Sequence, residues 1–321
     1  MSRSIFALVA ALLLILLPET SAQRPTYGGH VGLRTTPKAG VIGINVTVWT
    51  PPDSSGVGPV DGLTLGVPLT RVDRVSGAAA SIAITAIDRD LRGIGLGAVA
   101  GGNSSGILMG GVGAGAGNRF RGLAVGGIGV GAGGDSSGIL VGGVGAGVGN
   151  RFTGLVIGGL GVGAGSRLRG IAIGGLGALG GEASGVLVSL GGAGALSETH
   201  GIVVAGLVAG AGERATGLLA GGLMAGSPEL RGVVLSLGVA GGYDVVGWSV
   251  GGVPYVVPGG RLVGLATGAV TVNRGLHTGL AIGIVNYAEQ LRGVQLGLVN
   301  YAGNNPPWAR LLPLVNAHFG Q

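Results

Sequence analysis

Residues 106–169 decide the fold, because they repeat one pattern four times: GILMGGVGAGAGNRFR (106–121), GLAVGGIGVGAGGDSS (122–137), GILVGGVGAGVGNRFT (138–153) and GLVIGGLGVGAGSRLR (154–169). Each unit begins with a glycine, which we call its leading glycine: Gly106, Gly122, Gly138 and Gly154. Their even spacing is a fixed period, which is the sequence signature of a repeat architecture.

The repeat extends in both directions from this stretch. Leading glycines recur at nearly the same spacing at Gly170, Gly185, Gly201, Gly217 and Gly232. Degenerate units begin at Gly93, Gly279 and Gly293. The repeated region therefore covers most of a chain in which 76 of 321 residues are glycine.

Each unit contains two short apolar runs, separated by a Gly-Gly pair and followed by a polar turn. In the second unit these are residues 123–125, the pair Gly126-Gly127, and the alternating run 128–132. Alternation over four to six residues predicts strands, and frequent glycine would cost a helix about 1 kcal/mol at each position. The charged residues lie almost only in the turns. The pattern predicts an all-β protein.

Two β architectures fit the repeat. In a parallel β-solenoid with β caps, each unit is one coil of about 16 residues, and equivalent residues stack about 4.8 Å apart. Leu123 would then lie between Ile107 and Ile139, and the Gly-Gly pair would be a corner that needs a positive φ. In an up-and-down outer-membrane β-barrel, each unit would instead be one membrane-crossing strand.

The turns supply an argument for the barrel. Their composition alternates from one repeat to the next, with Phe120 and Phe152 in every second turn, and such alternation is expected if successive turns lie at opposite ends of a sheet. Against it, the units lack the aromatic girdles and polar lumen of membrane barrels. The solenoid is the favoured interpretation. It predicts an exposed apolar face, because the residues between core positions such as Leu108 and Val156 are apolar as well.

Composition sets the limits on function. The net charge is +6, but the basic residues are scattered rather than clustered beside aromatic residues, which argues against nucleic-acid binding. With 46% hydrophobic and 10% charged residues, the chain is not of the disordered type. There is no cysteine, so disulfides and thiolate chemistry are excluded.

The chain divides by pattern into six segments. Residues 1–22 have the basic start, apolar stretch and small-residue cleavage site of a secretory signal peptide, which predicts export. The other predicted segments are an N-terminal β region or cap (23–92), the repeats (93–242), an irregular β segment (243–273), the last repeats (274–304) and a C-terminal cap or strand (305–321).

No motif supports catalysis. Ser104 and Ser136 lie in G-x-S-x-G patterns, but the patterns recur in neighbouring turns, where Asn, Asp, Ser and Gly are the usual residues. The four histidines lie in separate units without metal-ligand spacing: His30, His200, His277 and His318. We predict no catalytic, cofactor-binding or metal-binding residue, no cofactor and no enzymatic activity. The turn arginines are expected to be solvated or to contact Glu in other turns.

Residues 279–304, GLAIGIVNYAEQLRGVQLGLVNYAGN, resemble the G-V-Q-x-G-L-x-N repeats of uncharacterised surface-repeat proteins of Gram-negative bacteria. The likeness is close there and loose over residues 93–235, where glycine or alanine replaces the Asn and Gln. It implies an exported or outer-membrane protein and supplies no active site. Some members are lipoproteins, a form that a chain without cysteine cannot share.

Together these observations predict an exported structural or interaction protein of the cell envelope, at the cell surface, outer membrane or periplasm. Its expected partners are envelope proteins or the outer-membrane surface, contacted through the apolar face. A pore or transporter barrel of the outer membrane is the alternative function.

Overall fold

A computed structural model describes residues 26–32, 39–48 and 58–320. The predicted signal peptide, residues 1–22, lies outside these residues. The chain forms two compact units, Met1–Gly149 and Asn150–Gln321, a division that the repeat pattern does not show.

The first unit is built from parallel strands. Strand β6 pairs with β8 so that Leu123 lies opposite Ile139, and β6 pairs in the same way with β4, where Leu123 lies opposite Ile107. The long strand β4 passes through several coils. The strands are β1 (Thr26–Gly32), β2 (Val41–Thr47), β3 (Val60–Gly66), β4 (Leu69–Gly110), β5 (Gly113–Ala116), β6 (Phe120–Gly126), β7 (Gly129–Ala132), β8 (Ser136–Gly142) and β9 (Gly145–Val148).

The second unit repeats this construction and ends in an antiparallel strand. Strand β18 pairs antiparallel with the last coil, His318 opposite Gly293, after a short 3₁₀ helix, Pro307–Ala309. The strands are β10 (Arg151–Gly158), β11 (Gly161–Gly174), β12 (Gly177–Ser189), β13 (Gly192–Ala195), β14 (Glu198–Ala205), β15 (Val208–Ala211), β16 (Arg214–Gly221), β17 (Met224–Ala302) and β18 (Leu311–His318).

Each unit is thus a parallel β-solenoid, as predicted. Successive coils pair in register, one repeat apart: Phe120 lies opposite Ser136 in the first unit, and Arg151 opposite Arg167 in the second. The up-and-down barrel is wrong, because its neighbouring strands would run antiparallel. Only β18 does so among the paired strands of the described residues.

The leading glycine of each coil has a positive φ, for example +136° at Gly122 and +119° at Gly170. We call these residues anchor glycines. A Cβ on Gly122 would collide with the carbonyl oxygen of Gly106, and one on Gly170 with that of Gly154. In the second unit the anchor glycines are Gly154, Gly170, Gly185, Gly201, Gly217, Gly232, Gly247, Gly264, Gly279 and Gly293.

The Gly-Gly pair has a different role from the one predicted. The chain bends after Gly126, but neither Gly126 nor Gly127 has a positive φ. These positions exclude a side chain because the backbone is too close: a Cβ on Gly127 would collide with the carbonyl oxygen of Gly111. The expected corner is therefore present, whereas its expected positive φ is found at the anchor glycine.

Two inward positions, two residues before and two residues after each anchor glycine, fill the first part of every coil. Phe120 is only 2% exposed and lies between Ser104 and Ser136. On the other side of the anchor glycine, Ala124 lies between Leu108 and Leu140. In these coils a larger side chain at one position accompanies a smaller one at the other, which keeps the packed volume of neighbouring layers similar.

This packing also explains why the composition of the predicted turns alternates between successive repeats. Phe120 and Phe152 are predicted to lie in turns, but they lie in strands β6 and β10, and both are buried. In the first unit the alternation of Ser and Phe is an alternation of small and large core residues, so it gives no support to a barrel.

Coils extend into segments where the sequence shows no clear repeat. In the first unit, β2 pairs in parallel with β3, and β3 with β4, with positive-φ glycines at Gly43, Gly62 and Gly77. In the second unit, Gly247 and Gly264 are anchor glycines within the segment 243–273. Among the described residues, no helix is long and apolar enough to cross a membrane.

Candidate interaction face

An outward apolar face runs along the coils of each unit. We define this apolar face as the side chains one, three and five or six residues after an anchor glycine. The first two positions alternate with inward core positions, as a strand requires. In the first unit the apolar face includes Leu123, Val125 and Ile128, of which Ile128 is 55% exposed.

The second unit carries the same face over more coils. Ile171 and Ile173 are exposed, lie opposite Leu155 and Ile157 of the preceding coil, and are followed by Leu176, which is 65% exposed. Further exposed members are Leu160, Leu190, Ile202, Val204, Leu207, Leu223, Leu235, Leu237, Trp248, Ile282 and Leu296.

The size of this face separates it from ordinary scattered surface residues. Ten coils at a rise of about 4.8 Å extend over roughly 40 Å, and the width of the defined positions is about 15 Å. The resulting area is on the order of 600 Å², which equals the upper end for the largest apolar patch of a typical soluble monomer. The predicted exposed apolar surface is therefore present along the coils.

The charged side chains between residues 93 and 273 lie in one corner of each coil, just before the anchor glycine. In the second unit they form ion pairs between coils: Arg167 Nε donates to Glu182 over 2.7 Å, and Arg214 Nε to Glu229 over 2.9 Å. The expected contacts of turn arginines with Glu of other turns are confirmed for both. Because these side chains are partly exposed, water and salt screen the pairs, which therefore add little to stability.

Arg261 and Asp244 form a bidentate pair in the same corner, with nitrogen to oxygen distances of 2.7 and 2.8 Å. The hydrogen bonds from Arg261 lower the pKa of the Asp244 carboxyl group. Arg167, Arg214 and Arg261 are thus each paired with a carboxylate in this corner. The apolar face in the described part of the second unit carries no charged side chain at its defined positions.

The two serines of the G-x-S-x-G patterns belong to the core. Ser104 and Ser136 are 4% and 6% exposed and lie on either side of Phe120. Their hydroxyl groups therefore cannot meet a substrate from solvent. His200 is exposed on the surface of the second unit, and His318 Nδ1 lies 2.6 Å from Asn305 Oδ1. Among the described residues no group of three or more His, Asp or Glu could hold a metal ion.

His277 is the one histidine that the described part of the core contains. It occupies the inward position two residues before Gly279 and is 1% exposed. Burial lowers its pKa to about 4, against the opposing effect of its backbone hydrogen bonds with Gly264 and Leu280.

The Asn and Gln of the family-like repeats are also core residues. Asn286 accepts a hydrogen bond from Thr271 Oγ1 at 2.7 Å and donates one to Asn300 Oδ1 at 2.7 Å. Gln295 is fully buried, and outside the core Tyr287 stacks on Tyr301 with ring centroids 5.0 Å apart. The residues that carry the resemblance therefore hold successive coils together.

A groove of about 550 Å³ interrupts the apolar face near the C-terminal end of the second unit. Its lining includes Ile282, Ile284, Leu296, Leu298 and Leu314. Leu314 has a positive φ of 62°, which is strained for a bulky residue. The sequence pattern does not predict the groove. The single glycines Gly283 and Gly297, which replace the usual Gly-Gly pairs, are the sequence signal that marks these coils.

Comparison with known proteins gives no match for this chain among protein-family models, curated proteins or solved structures.

Proposed function

We propose that the protein is a non-catalytic scaffold of the cell envelope that is exported and presents its apolar face to an envelope partner. The observation that carries this proposal is the continuous outward ladder of Ile, Leu and Val along the coils. Such a large exposed apolar surface costs solubility, so its repetition in coil after coil indicates contact with another surface.

Two features support a scaffold rather than an enzyme. The hydroxyl groups of the candidate nucleophiles Ser104 and Ser136 are buried, and the two residues lie opposite Phe120 in the strand register. The stacked backbone and the inter-coil asparagine bonds give a regular, stiff body whose surface repeats with the coils. The predicted signal peptide and the likeness of residues 279–304 to surface-repeat proteins support export to the envelope.

The absence of cysteine from the sequence permits a direct test. Leu207→Cys places one thiol on the apolar face, and Ser197→Cys places one in the charged corner of the preceding coil. Cells with a permeabilised outer membrane are treated with a maleimide that cannot cross the inner membrane. We expect Ser197→Cys to be labelled in the cells, and Leu207→Cys to be protected there but labelled after purification.

Equal labelling of the two variants in cells would contradict the proposal that a partner covers the apolar face. Labelling of Ser197→Cys only after lysis of the inner membrane would overturn export.

A further inference from the structure

Two sets of arginines in the second unit differ in their position and in their partners. Arg167, Arg214 and Arg261 lie three residues before an anchor glycine and pair with carboxylates. Arg169, Arg231 and Arg292 lie directly before an anchor glycine, and among the described residues no carboxylate lies within 4.0 Å of them. Arg231 acts on Asp244 only as a weaker, longer-range charge. These three, which we call the border arginines, lack a close counter-charge.

The border arginines stand at one edge of the apolar face. Arg169 is exposed and precedes Gly170, and the next residue, Ile171, is an exposed member of the apolar face. Arg231 and Arg292 hold the same position beside Val233 and Val294. The other residues in this column are uncharged or histidine, including Ser184, His200 and Thr216. The charged side chains along this edge of the face are therefore all basic.

The groove adds an apolar recess to the same surface. Gly293, which follows Arg292, begins the coil that supplies Leu296 and Leu298 to the groove. One coil thus carries both an exposed guanidinium group and part of an apolar recess. A lipid with an anionic headgroup and an acyl chain has the same two chemical parts, and arginine binds phosphate oxygens with two parallel hydrogen bonds.

We propose that the apolar face of the second unit docks on an anionic lipid bilayer, with the border arginines bound to headgroup phosphates and the groove open to an acyl chain. This inference rests on the proposed function and names the partner of its face. Apolar contact and attraction of basic residues to anionic lipid act together in such binding.

A second copy of the chain fits the face less well. The defined positions of the apolar face and the column of the border arginines contain no carboxylate in the second unit. A copy packed face to face would therefore bury arginines without counter-charges, which is costly. A bilayer surface rich in phosphates supplies those charges.

The test is co-sedimentation of the full chain with vesicles of phosphatidylglycerol and phosphatidylcholine, or of phosphatidylcholine alone. The variant R169Q/R231Q/R292Q is compared with R167Q/R214Q/R261Q, which loses the same charge from the ladder of ion pairs. Both retain residues 1–22, so any contribution of that segment is common to both. We expect a loss of partitioning of about fivefold for each border arginine, and on the order of a hundredfold for the three.

The expected result is a preference for anionic vesicles that only the first triple variant loses. An equal loss in both triple variants, or no sedimentation of the unmodified chain, overturns the inference. Dimerisation in solution that Ile171→Ser abolishes would assign the face to a second copy. That result also overturns lipid docking but leaves the proposed interaction face standing, and the cysteine-labelling experiment tests that face separately.

Discussion

Glycine serves two separable purposes in this molecule, and single residues show the difference. At Gly122 the positive φ and the carbonyl oxygen of Gly106 both exclude a side chain. At Gly129, which faces outward, a Cβ would lie 3.6 Å from the nearest carbonyl oxygen, an ordinary contact, and φ is not positive. Only the first glycine is required by the backbone.

We therefore expect Gly122→Ala to destabilise the protein by at least about 1–3 kcal/mol, the usual cost of such a backbone conformation for a residue with a Cβ. Gly129→Ala is the matched control and should leave stability unchanged or raise it by up to about 1 kcal/mol. Denaturant titration of both variants measures the difference. Equal stability of the two variants would contradict the role assigned to the anchor glycine.

Burial of His277 predicts a pH dependence of stability. Its folded pKa of about 4 lies below the usual value of 6.5, so the unfolded chain binds a proton more readily. The free energy of unfolding should therefore fall by about 3 kcal/mol as the pH drops from about 6.5 to 4. His277→Leu, which introduces the residue found at the equivalent positions Leu262 and Leu291, should remove this part of the dependence.

Denaturant titrations at pH 7 and pH 4.5 test this prediction. The same loss of stability in the unmodified protein and in His277→Leu would show that other groups cause it.

At the scale of the coil, a large side chain at one inward position is accompanied by a small side chain at the other in several layers of the core. Phe120 and Ala124 occupy the positions that Ser104 and Leu108 occupy one coil earlier. In the second unit Leu168 and Ala172 are followed by Ala183 and Leu187. In these neighbouring coils the larger and the smaller residue exchange positions, so the combined volume of the two positions changes less than the volume at either position alone.

A double-mutant cycle tests this compensation. Phe120→Ala should cost about 3–5 kcal/mol through the cavity that it leaves. Ala124→Leu alone should cost about 1–3 kcal/mol through overpacking. The double variant should be more stable than the sum of the two costs predicts, by roughly 1–3 kcal/mol. Additive costs in denaturant titrations would show that the two positions pack independently.

The sequence predicts the coil well but not its internal geometry. The spacing of the leading glycines correctly places Leu123 against Ile107 and Ile139. It does not show which glycines have a positive φ, because both Gly122 and Gly127 recur in the pattern and exclude a side chain for different reasons. It also places Phe120 in a turn, because the residue lies among polar neighbours, whereas Phe120 is the first residue of β6.

At the scale of the whole chain, variation in coil length limits prediction. Gly247 and Gly264 lie further apart than the leading glycines of the regular repeats, and the coil between them includes Pro254 and Pro258. The spacing of the regular repeats therefore does not reveal this coil. The apolar face is predictable from the apolar residues between core positions. The border arginines are not, because a column that is occupied only in some coils is visible only when the coils are stacked.

The anchor glycines also determine how such a chain can change in length. Between β11 and β12 the pairing register shifts by a single position in the charged corner, between Ala164 and Arg167, while Gly170 still lies opposite Gly185. Single-residue deletions can therefore be absorbed in that corner. Duplication or loss of a complete repeat preserves the in-register pairing of the backbone between neighbouring coils, so evolution can lengthen or shorten the protein in steps of one repeat.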